Sequence, residues 1–202
     1  GDTSWLGKAV DPPQRAAWQN GVYRRRFKNG MALVNLEGSG MIGVPGTADR
    51  LFRALKNAGV SVTLISQASS EHSICIAVPQ ARAERARTVI TDAFADELNS
   101  GQIQSVDVTD AQSIVAVVGD GMAGTPGVAA RFFGTLGRAG INVRAIAQGS
   151  SELNVSLVID RRDEATALNA IHGAFFAPGR RRIALALAGP GRVGATLLDH
   201  LR

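Results

Sequence analysis

One segment of this 202-residue chain occurs twice, at a fixed spacing of 81 residues. When residues 38–71 are set against residues 119–152 without a gap, 18 of the 34 pairs are identical. The shared register continues as far as Phe94 and Phe175. Similarity of this extent at one period indicates a duplicated structural unit, and two copies are too few for a solenoid. Each copy is therefore predicted to form a small domain.

The two copies carry the same order of apolar runs and turns. In the first copy, the pattern predicts strands at 31–36, 60–66 and 73–78, a helix through Leu51, Phe52, Leu55 and Ala58, and a second helix at 81–94. In the second copy, it predicts strands at 113–118, 141–147 and 153–159, a helix through Phe132, Phe133, Leu136 and Ala139, and a second helix at 164–175. A run at 102–108 suits a fourth strand that closes the first copy. This order predicts an α+β chain of two tandem ferredoxin-like βαββαβ domains.

The two ends of the chain fall outside the repeat. We expect an unassigned N-terminal segment at 1–28, a first domain at 29–110, a second domain at 111–178 and a further segment at 179–202. In the last segment, Gly189, Gly191 and Gly194 form G-x-G-x-x-G between an apolar strand and a helical pattern, which is the context of a dinucleotide-binding turn. The segment is then the first strand, turn and helix of a Rossmann domain cut off at Arg202. An ordinary glycine-rich turn explains the same spacing.

Charge and composition argue against several classes of protein. The net charge is +5 and the pI is about 10.3, yet arginines cluster at Arg24–Arg26 and Arg180–Arg182 and not along one face, so we expect solvated linkers and no nucleic acid partner. No apolar run reaches the length of a membrane span. The single cysteine, Cys75, has no disulfide partner in the chain. We expect a soluble protein of the reducing cytoplasm, without a membrane partner.

Catalytic and metal-binding patterns are poor. His72, His172 and His200 lie on separate segments with no nucleophile and carboxylate at a telling spacing. No spacing typical of a metal site is present, so we expect neither catalytic nor metal-ligating residues. Glu71 and Glu152 occur at equivalent positions, and duplication of this kind suits a ligand pocket or a turn hydrogen bond better than an active site.

The polar turns suit a small amino acid. Gln67 and Gln148 end equivalent strands, and the first helix of each copy follows a turn that ends at Gly46 or Gly127. A helix N-terminus presents unpaired N–H groups to a carboxylate, and a glutamine amide both donates and accepts. Asn142 offers a similar amide in the second copy. The alternative is that these turns only satisfy their own backbone.

Several motifs in order resemble bifunctional aspartate kinase/homoserine dehydrogenase over residues 29–202. The motifs are Met31-Ala-Leu-Val-Asn-Leu-Glu-Gly, Gly43-Val-Pro-Gly, Leu64-Ile-Ser-Gln-Ala-Ser-Ser-Glu-His-Ser-Ile, Val117-Val-Gly-Asp-Gly-Met and Ala145-Ile-Ala-Gln-Gly-Ser-Ser-Glu. The resemblance implies tandem ACT domains between a kinase and an NAD(P)-dependent dehydrogenase. Such domains form homo-oligomers and bind threonine, which inhibits both activities.

The resemblance also implies roles for single residues. Gln67 and Gln148 match threonine-contacting glutamines, the loops ending at Gly46 and Gly127 match the rims of the pockets, and Gly189, Gly191 and Gly194 match the pyrophosphate turn. ATP and Mg would belong to the kinase part, for which no nucleotide-binding motif is present. Residues 1–28 do not resemble the kinase segment that should precede the repeats.

Several alternatives stay open at this point. Ser61 stands where the second copy has Asn142, so the two pockets need not be equivalent. Lysine or methionine could replace threonine as the effector. The repeats could only mediate dimerisation, or the fragment could belong to a monofunctional aspartate kinase. In each case we expect this fragment alone to catalyse neither reaction.

Overall fold

The structure is a computed structural model that describes residues 24–67 and 71–175. Its strands are β1 (Arg24–Glu37), β2 (Leu64–Gln67), β3 (Ser73–Pro79), β4 (Ser105–Val118), β5 (Val143–Gln148) and β6 (Asn154–Asp160). Its helices are α1 (Thr47–Asn57), α2 (Ala83–Ala93), α3 (Ala95–Asn99), α4 (Val128–Arg138) and α5 (Glu164–Phe175). Short 3₁₀ turns precede α2 and α5 and follow β1 and β4.

The described strands form one antiparallel sheet in the order β2-β3-β1-β4-β6-β5. The first repeat uses β2, β3, the C-terminal half of β1 and the N-terminal half of β4. The second repeat uses β5, β6, the C-terminal half of β4 and the N-terminal half of β1, where Arg24 lies opposite Val118 and Lys28 opposite Ile114. The prediction of two βαββαβ-type units is confirmed, with β1 and β4 shared between them.

Both shared strands are irregular where one repeat gives way to the other. Gly30 (φ +65°) and Ala111 (φ +56°) adopt left-handed backbone conformations, and the pairing of β1 with β4 shifts register between Lys28 and Leu33. An extra residue in one strand of a pair bends that strand and increases its twist. The bends allow the two halves of the sheet to pack against each other.

Three clusters of buried side chains show this arrangement. Leu36, Ile76 and Val78 of the first half pack with α1 and α2. Val117 and Leu157 of the second half pack with α4 and α5. The third cluster joins the opposite faces of the two halves and contains Met31, Leu33, Leu64, Ala77, Ile114, Ala145 and Val158. Because strand side chains alternate between faces, each half contributes one face to its helices and one to the other half.

The predicted helices correspond to those of the structure, and several strand predictions need correction. The predicted strand 60–66 is shorter, since β2 begins at Leu64. The predicted strand 102–108 begins at Ser105 and continues without interruption into the predicted strand 113–118. Helix α3 was not predicted. The linker interpretation of Arg24–Arg26 is wrong, because these residues lie in β1.

Some expectations fall on residues that the structure does not describe. The proposed Rossmann start at 179–202 lies outside the described residues, as do residues 1–23. The domain boundaries after residues 28 and 178 stay predictions. In the two described ranges, no helix combines the length and apolar character needed to cross a membrane.

Candidate functional site

The candidate site of each repeat begins with the glycine loop, which we define as residues 38–46 in the first repeat and 119–127 in the second. Gly46 and Gly127 precede α1 and α4 with φ values of +86° and +88°. Gly43 and Gly124 have φ values of +69° and +65°. Residues with a Cβ rarely adopt such angles, so these glycines allow the tight loop. The two loops therefore have the same backbone course.

Neither loop caps its helix with a side chain. Gly46 and Gly127 are the N-cap residues and carry no side-chain oxygen. Thr47 Oγ1 donates to the Val44 carbonyl oxygen (3.1 Å), and Thr125 Oγ1 donates to that of Gly121 (2.8 Å). The first N–H groups of a helix need acceptors from outside the helix. An uncapped N-terminus is therefore suited to an incoming carboxylate.

A repeated glutamate holds each glycine loop. The Gly43 N–H donates to Glu71 Oε2 (2.8 Å), and the Gly124 N–H donates to Glu152 Oε2 (2.7 Å). Both glutamates have left-handed backbones, with φ values of +53° and +55°. Of the two roles open to the repeated glutamates, a ligand pocket or a turn hydrogen bond, the structure shows the hydrogen bond.

The glutamines lie at the same end of the sheet as the glycine loops. Gln67 ends β2 opposite Ile74 of β3, which in turn lies opposite Leu36 of β1, two residues before the first loop. Neighbouring strands are about 4.8 Å apart, so Gln67 lies about 10 Å from the end of β1. Its side chain is exposed. The sheet thus brings Gln67 and the glycine loop of the first repeat to one end of one domain.

The second repeat has the same placement. Gln148 ends β5 opposite Val155 of β6, which lies opposite Val117, two residues before the second loop. Asn142 is exposed and directly precedes β5, so it lies at the opposite end of that strand from Gln148. Six residues of strand span about 20 Å. A single bound amino acid therefore cannot contact both Gln148 and Asn142 of the second repeat.

A repeated arginine joins the two helices of each domain. The guanidinium of Arg50 lies 4.0 Å from the centre of the Phe94 ring, and that of Arg131 lies 4.9 Å from the centre of the Phe175 ring. Such stacking is a favourable cation–π contact. Sequence reasoning missed these arginines, although Arg50 and Arg131, like Phe94 and Phe175, are separated by the repeat spacing of 81 residues.

The arginines differ in their other partners. Arg50 Nη2 donates to Glu97 Oε1, and this hydrogen bond lowers the pKa of the Glu97 carboxyl from its usual value. Arg131 Nη2 donates to the Ala174 carbonyl oxygen.

Burial raises the pKa of the Cys75 thiol, which makes it a poor nucleophile. Among the described residues, no group of three His, Cys, Asp or Glu side chains is placed to hold a metal ion.

Comparison with known proteins identifies the repeats. The model of the ACT domain family matches residues 34–94 and 115–175. A bifunctional aspartokinase/homoserine dehydrogenase of Arabidopsis thaliana is 48% identical over 172 residues, which are 85% of this chain and 19% of the relative. The corresponding protein of Haemophilus influenzae is 44% identical over 172 residues, which are 85% of this chain and 21% of the relative. The chain thus spans about a fifth of the length of these relatives.

Solved structures share the fold. The regulatory subunit of aspartate kinase from Thermus thermophilus, in its ligand-free form, is 26% identical with a TM-score of 0.63, covering 78% of this chain and 99% of that one. A structure of aspartokinase alpha and beta subunits is 28% identical with a TM-score of 0.63, covering 75% and 96%. The chain belongs to the ACT domain family, with two tandem ACT domains that are similar to one segment of bifunctional aspartokinase/homoserine dehydrogenases.

Proposed function

We propose that the two ACT domains bind free threonine and thereby inhibit the kinase and dehydrogenase activities of the whole enzyme. The observation that carries this proposal is duplicated: an uncapped helix N-terminus and an exposed glutamine lie at the same end of the sheet in each domain. In each domain, the glycine loop and the glutamine lie at one end of the sheet. Each domain thus offers donors for a carboxylate and an amide for a second polar group.

The glutamines support a polar effector over an apolar one. The Gln67 or Gln148 amide would bond the ammonium or the hydroxyl group of threonine, since an amide offers both a donor and an acceptor. A site that bonds a hydroxyl rejects the isosteric analogue without one more strongly than an apolar pocket rejects an added hydroxyl. If the glutamine bonds the hydroxyl, valine should bind much more weakly than threonine.

Inhibition requires that threonine prefer one arrangement of the regulatory region. A ligand shifts a conformational equilibrium only by the difference between its affinities for the two states. A millimolar effector binds with about 4 kcal/mol, and couplings of about 1–3 kcal/mol between sites are typical. That coupling is enough to change an activity by about five- to 150-fold.

Titration calorimetry on the full chain tests the proposal. Threonine, lysine, methionine and valine would each be titrated, and the melting temperature would be recorded at high concentrations of each. We expect heat and a raised melting temperature with threonine, because a ligand of the native state stabilises it. Gln67→Ala and Gln148→Ala should each weaken binding. The proposal would be overturned if threonine gave no heat and left the melting temperature unchanged.

A second candidate function, dimerisation without a ligand, is supported by the exposed isoleucines of the outer strands. Ile65 of β2 is 48% exposed, and Ile146 of β5 is 45% exposed at the equivalent position. Strands at a sheet edge present unpaired N–H and C=O groups to another chain. Sedimentation measurements with and without threonine separate the two candidates, since a pure dimerisation module gives the same assembly in both.

The remaining parts of the proposal concern the whole protein. Gly189, Gly191 and Gly194 would form the pyrophosphate turn of an NAD(P)-binding dehydrogenase domain. ATP and Mg would be bound by the kinase part. Homo-oligomers would form through the ACT domains. The single cysteine supports a reducing compartment, for which we propose the cytoplasm.

A further inference from the structure

We propose that Glu71 and Glu152 are positioning residues that hold the glycine loops in the shape that binds the effector. The inference rests on the proposed function, since it assigns a role within the same two sites. Neither glutamate needs to contact the effector for this role. Each acts through the backbone of the loop that it bonds.

The first argument is the contact itself. Each carboxylate accepts from the backbone N–H of the same loop glycine, Gly43 or Gly124, at 2.8 and 2.7 Å. A hydrogen bond to a charged acceptor is stronger than one between neutral groups. Among the described residues, neither carboxylate forms an ion pair. The loop glycine is therefore the partner that accounts for a glutamate at this position.

The second argument is backbone strain. Glu71 and Glu152 have φ values of +53° and +55°, whereas most left-handed positions of the described chain are glycines. The left-handed conformation is unfavourable for a residue with a Cβ, and such residues persist where the surrounding structure requires them. Glycine or asparagine would fit the backbone at lower cost. A side chain retained at this cost in both domains indicates that its carboxylate is needed.

The third argument is position. Gln67 and Glu71 flank the turn between β2 and β3, and Gln148 and Glu152 flank the turn between β5 and β6. The glutamate thereby ties the turn that follows the glutamine to the loop that precedes the helix. Those are the two halves of the proposed site. Loss of the tie would leave both halves present but free to move apart.

Asparagine and glutamine substitutions separate positioning from simple loss of structure. Asparagine tolerates the left-handed backbone, but its side chain is one methylene shorter and cannot reach the loop. Glutamine keeps the length and an oxygen acceptor. The full chain would carry Glu71→Asn, Glu71→Gln, Glu152→Asn or Glu152→Gln. Glu84→Gln serves as the control, since among the described residues the Glu84 carboxylate pairs only with Arg87, on an exposed face of α2.

The measurements are threonine affinity by calorimetry, the melting temperature without ligand, and hydrogen exchange of the Gly43 and Gly124 amides by NMR. We expect each Asn variant to weaken threonine binding in its own domain by about tenfold, the size of one hydrogen bond to a charged group. Its loop amide should lose protection, while the melting temperature stays near that of the unmodified protein. The Gln variants should restore most of the affinity, and Glu84→Gln should bind normally.

Different results overturn different claims. If the unmodified chain binds none of the aspartate-family amino acids, the proposed function fails. If it binds threonine and the Asn variants bind equally well, only the positioning role fails. The positioning role also fails if the Asn variants lower the melting temperature but leave affinity and amide protection unchanged, because the glutamates would then be merely structural.

Discussion

The two ACT domains have the same backbone conformation at the candidate site and differ in the side chains around it. The first glycine loop exposes Ile42 (54%) and Val44 (52%), where the second loop has Ala123 and Thr125. The first turn of α1 contains Asp49, whereas the first turn of α4 contains no acidic residue. Duplication has thus preserved the shape of the candidate site, through glycines and the glutamate, and has allowed its polarity and charge to diverge.

The largest expected effect tests whether the two domains are one folding unit. Phe132 of α4 and its counterpart Leu51 of α1 are both fully buried. Substitution by alanine should lower the free energy of unfolding by about 3–5 kcal/mol for Phe132 and about 2–5 kcal/mol for Leu51. Because β1 and β4 belong to both halves, calorimetry should show one shifted transition in each variant. Two transitions, with the unmodified domain melting normally, would show that the domains are independent.

The next effect concerns the close packing of Gly38 against the segment that follows α3 in the first domain. An added Cβ at Gly38 would lie 2.6 Å from both the Gln102 carbonyl oxygen and the Ile103 Cα. The φ of Gly38 is 177°, which any residue adopts, so the clash alone sets the cost. Gly38→Ala should destabilise the fold by about 1–3 kcal/mol in urea unfolding. A neutral Gly38→Ala would show that the segment after α3 moves aside easily.

The helix-start glycines should behave alike in the two domains. Within residues 24–67 and 71–175, no atom would lie within 4 Å of a Cβ added at Gly46 or Gly127, and both residues have left-handed backbones. Gly46→Ala and Gly127→Ala should therefore cost only backbone strain, about 1–2 kcal/mol each. Chemical unfolding of the two variants measures this directly. Unequal costs would show that the two loops do not share one backbone course in solution.

Charge at the helix start should distinguish the two proposed effector sites. An acidic residue in the first turn is attracted by the helix N-terminus but repels a bound carboxylate. Ala130→Asp gives α4 the charge that Asp49 gives α1, and it should weaken threonine binding in the second domain by about two- to fivefold, for about 0.3–1 kcal/mol. Asp49→Asn should strengthen binding in the first domain. Calorimetric affinities that do not change would place the ligand carboxylate away from the helix starts.

The smallest effect is a difference in pH dependence between the two arginines. Because Arg50 lowers the pKa of Glu97 in the folded state, this pair stabilises the fold above the unfolded pKa of about 4.3, and the contribution is lost as the pH falls through the lowered folded value. Arg50→Met should cost about 0.2–1 kcal/mol more at pH 7 than at pH 2. Arg131 bonds a carbonyl group, which does not titrate.

Unfolding of Arg50→Met and Arg131→Met at both pH values tests this difference. Equal pH dependence in the two variants would contradict it.

Helices α1, α2, α4 and α5 could be predicted from the sequence because the spacing of apolar residues along a helix is a local signal, and the candidate site residues could be predicted because the repeat aligns them. The spacing of Leu51, Leu55 and Ala58 marks one helical face, and Gly59 (φ +68°) follows where that helix ends. The equivalence of Gln67 and Gln148 follows from the alignment alone. The structure places both at the predicted strand ends.

The missed features depend on contacts between distant segments. The sequence around Arg24–Lys28 has no strand pattern of its own. These residues form a strand because they pair with Ile114–Val118, which lie far along the chain. The continuity of β4 was hidden by Thr109-Asp110, which has the composition of a turn but lies within a strand. The repetition of Glu71 and Glu152 was visible, but their bonds to Gly43 and Gly124 depend on two turns meeting in space.

The shared strand β1 has a consequence for synthesis on the ribosome. Its N-terminal half is made before any other described part of the second domain, yet its partner, Ile114–Val118, emerges only after the whole first domain. The first domain is in this sense an insertion within the second. During synthesis, Arg24–Lys28 stay unpaired until Ile114–Val118 have been made. The second domain can therefore complete its sheet only late in translation, after the first domain has had time to fold.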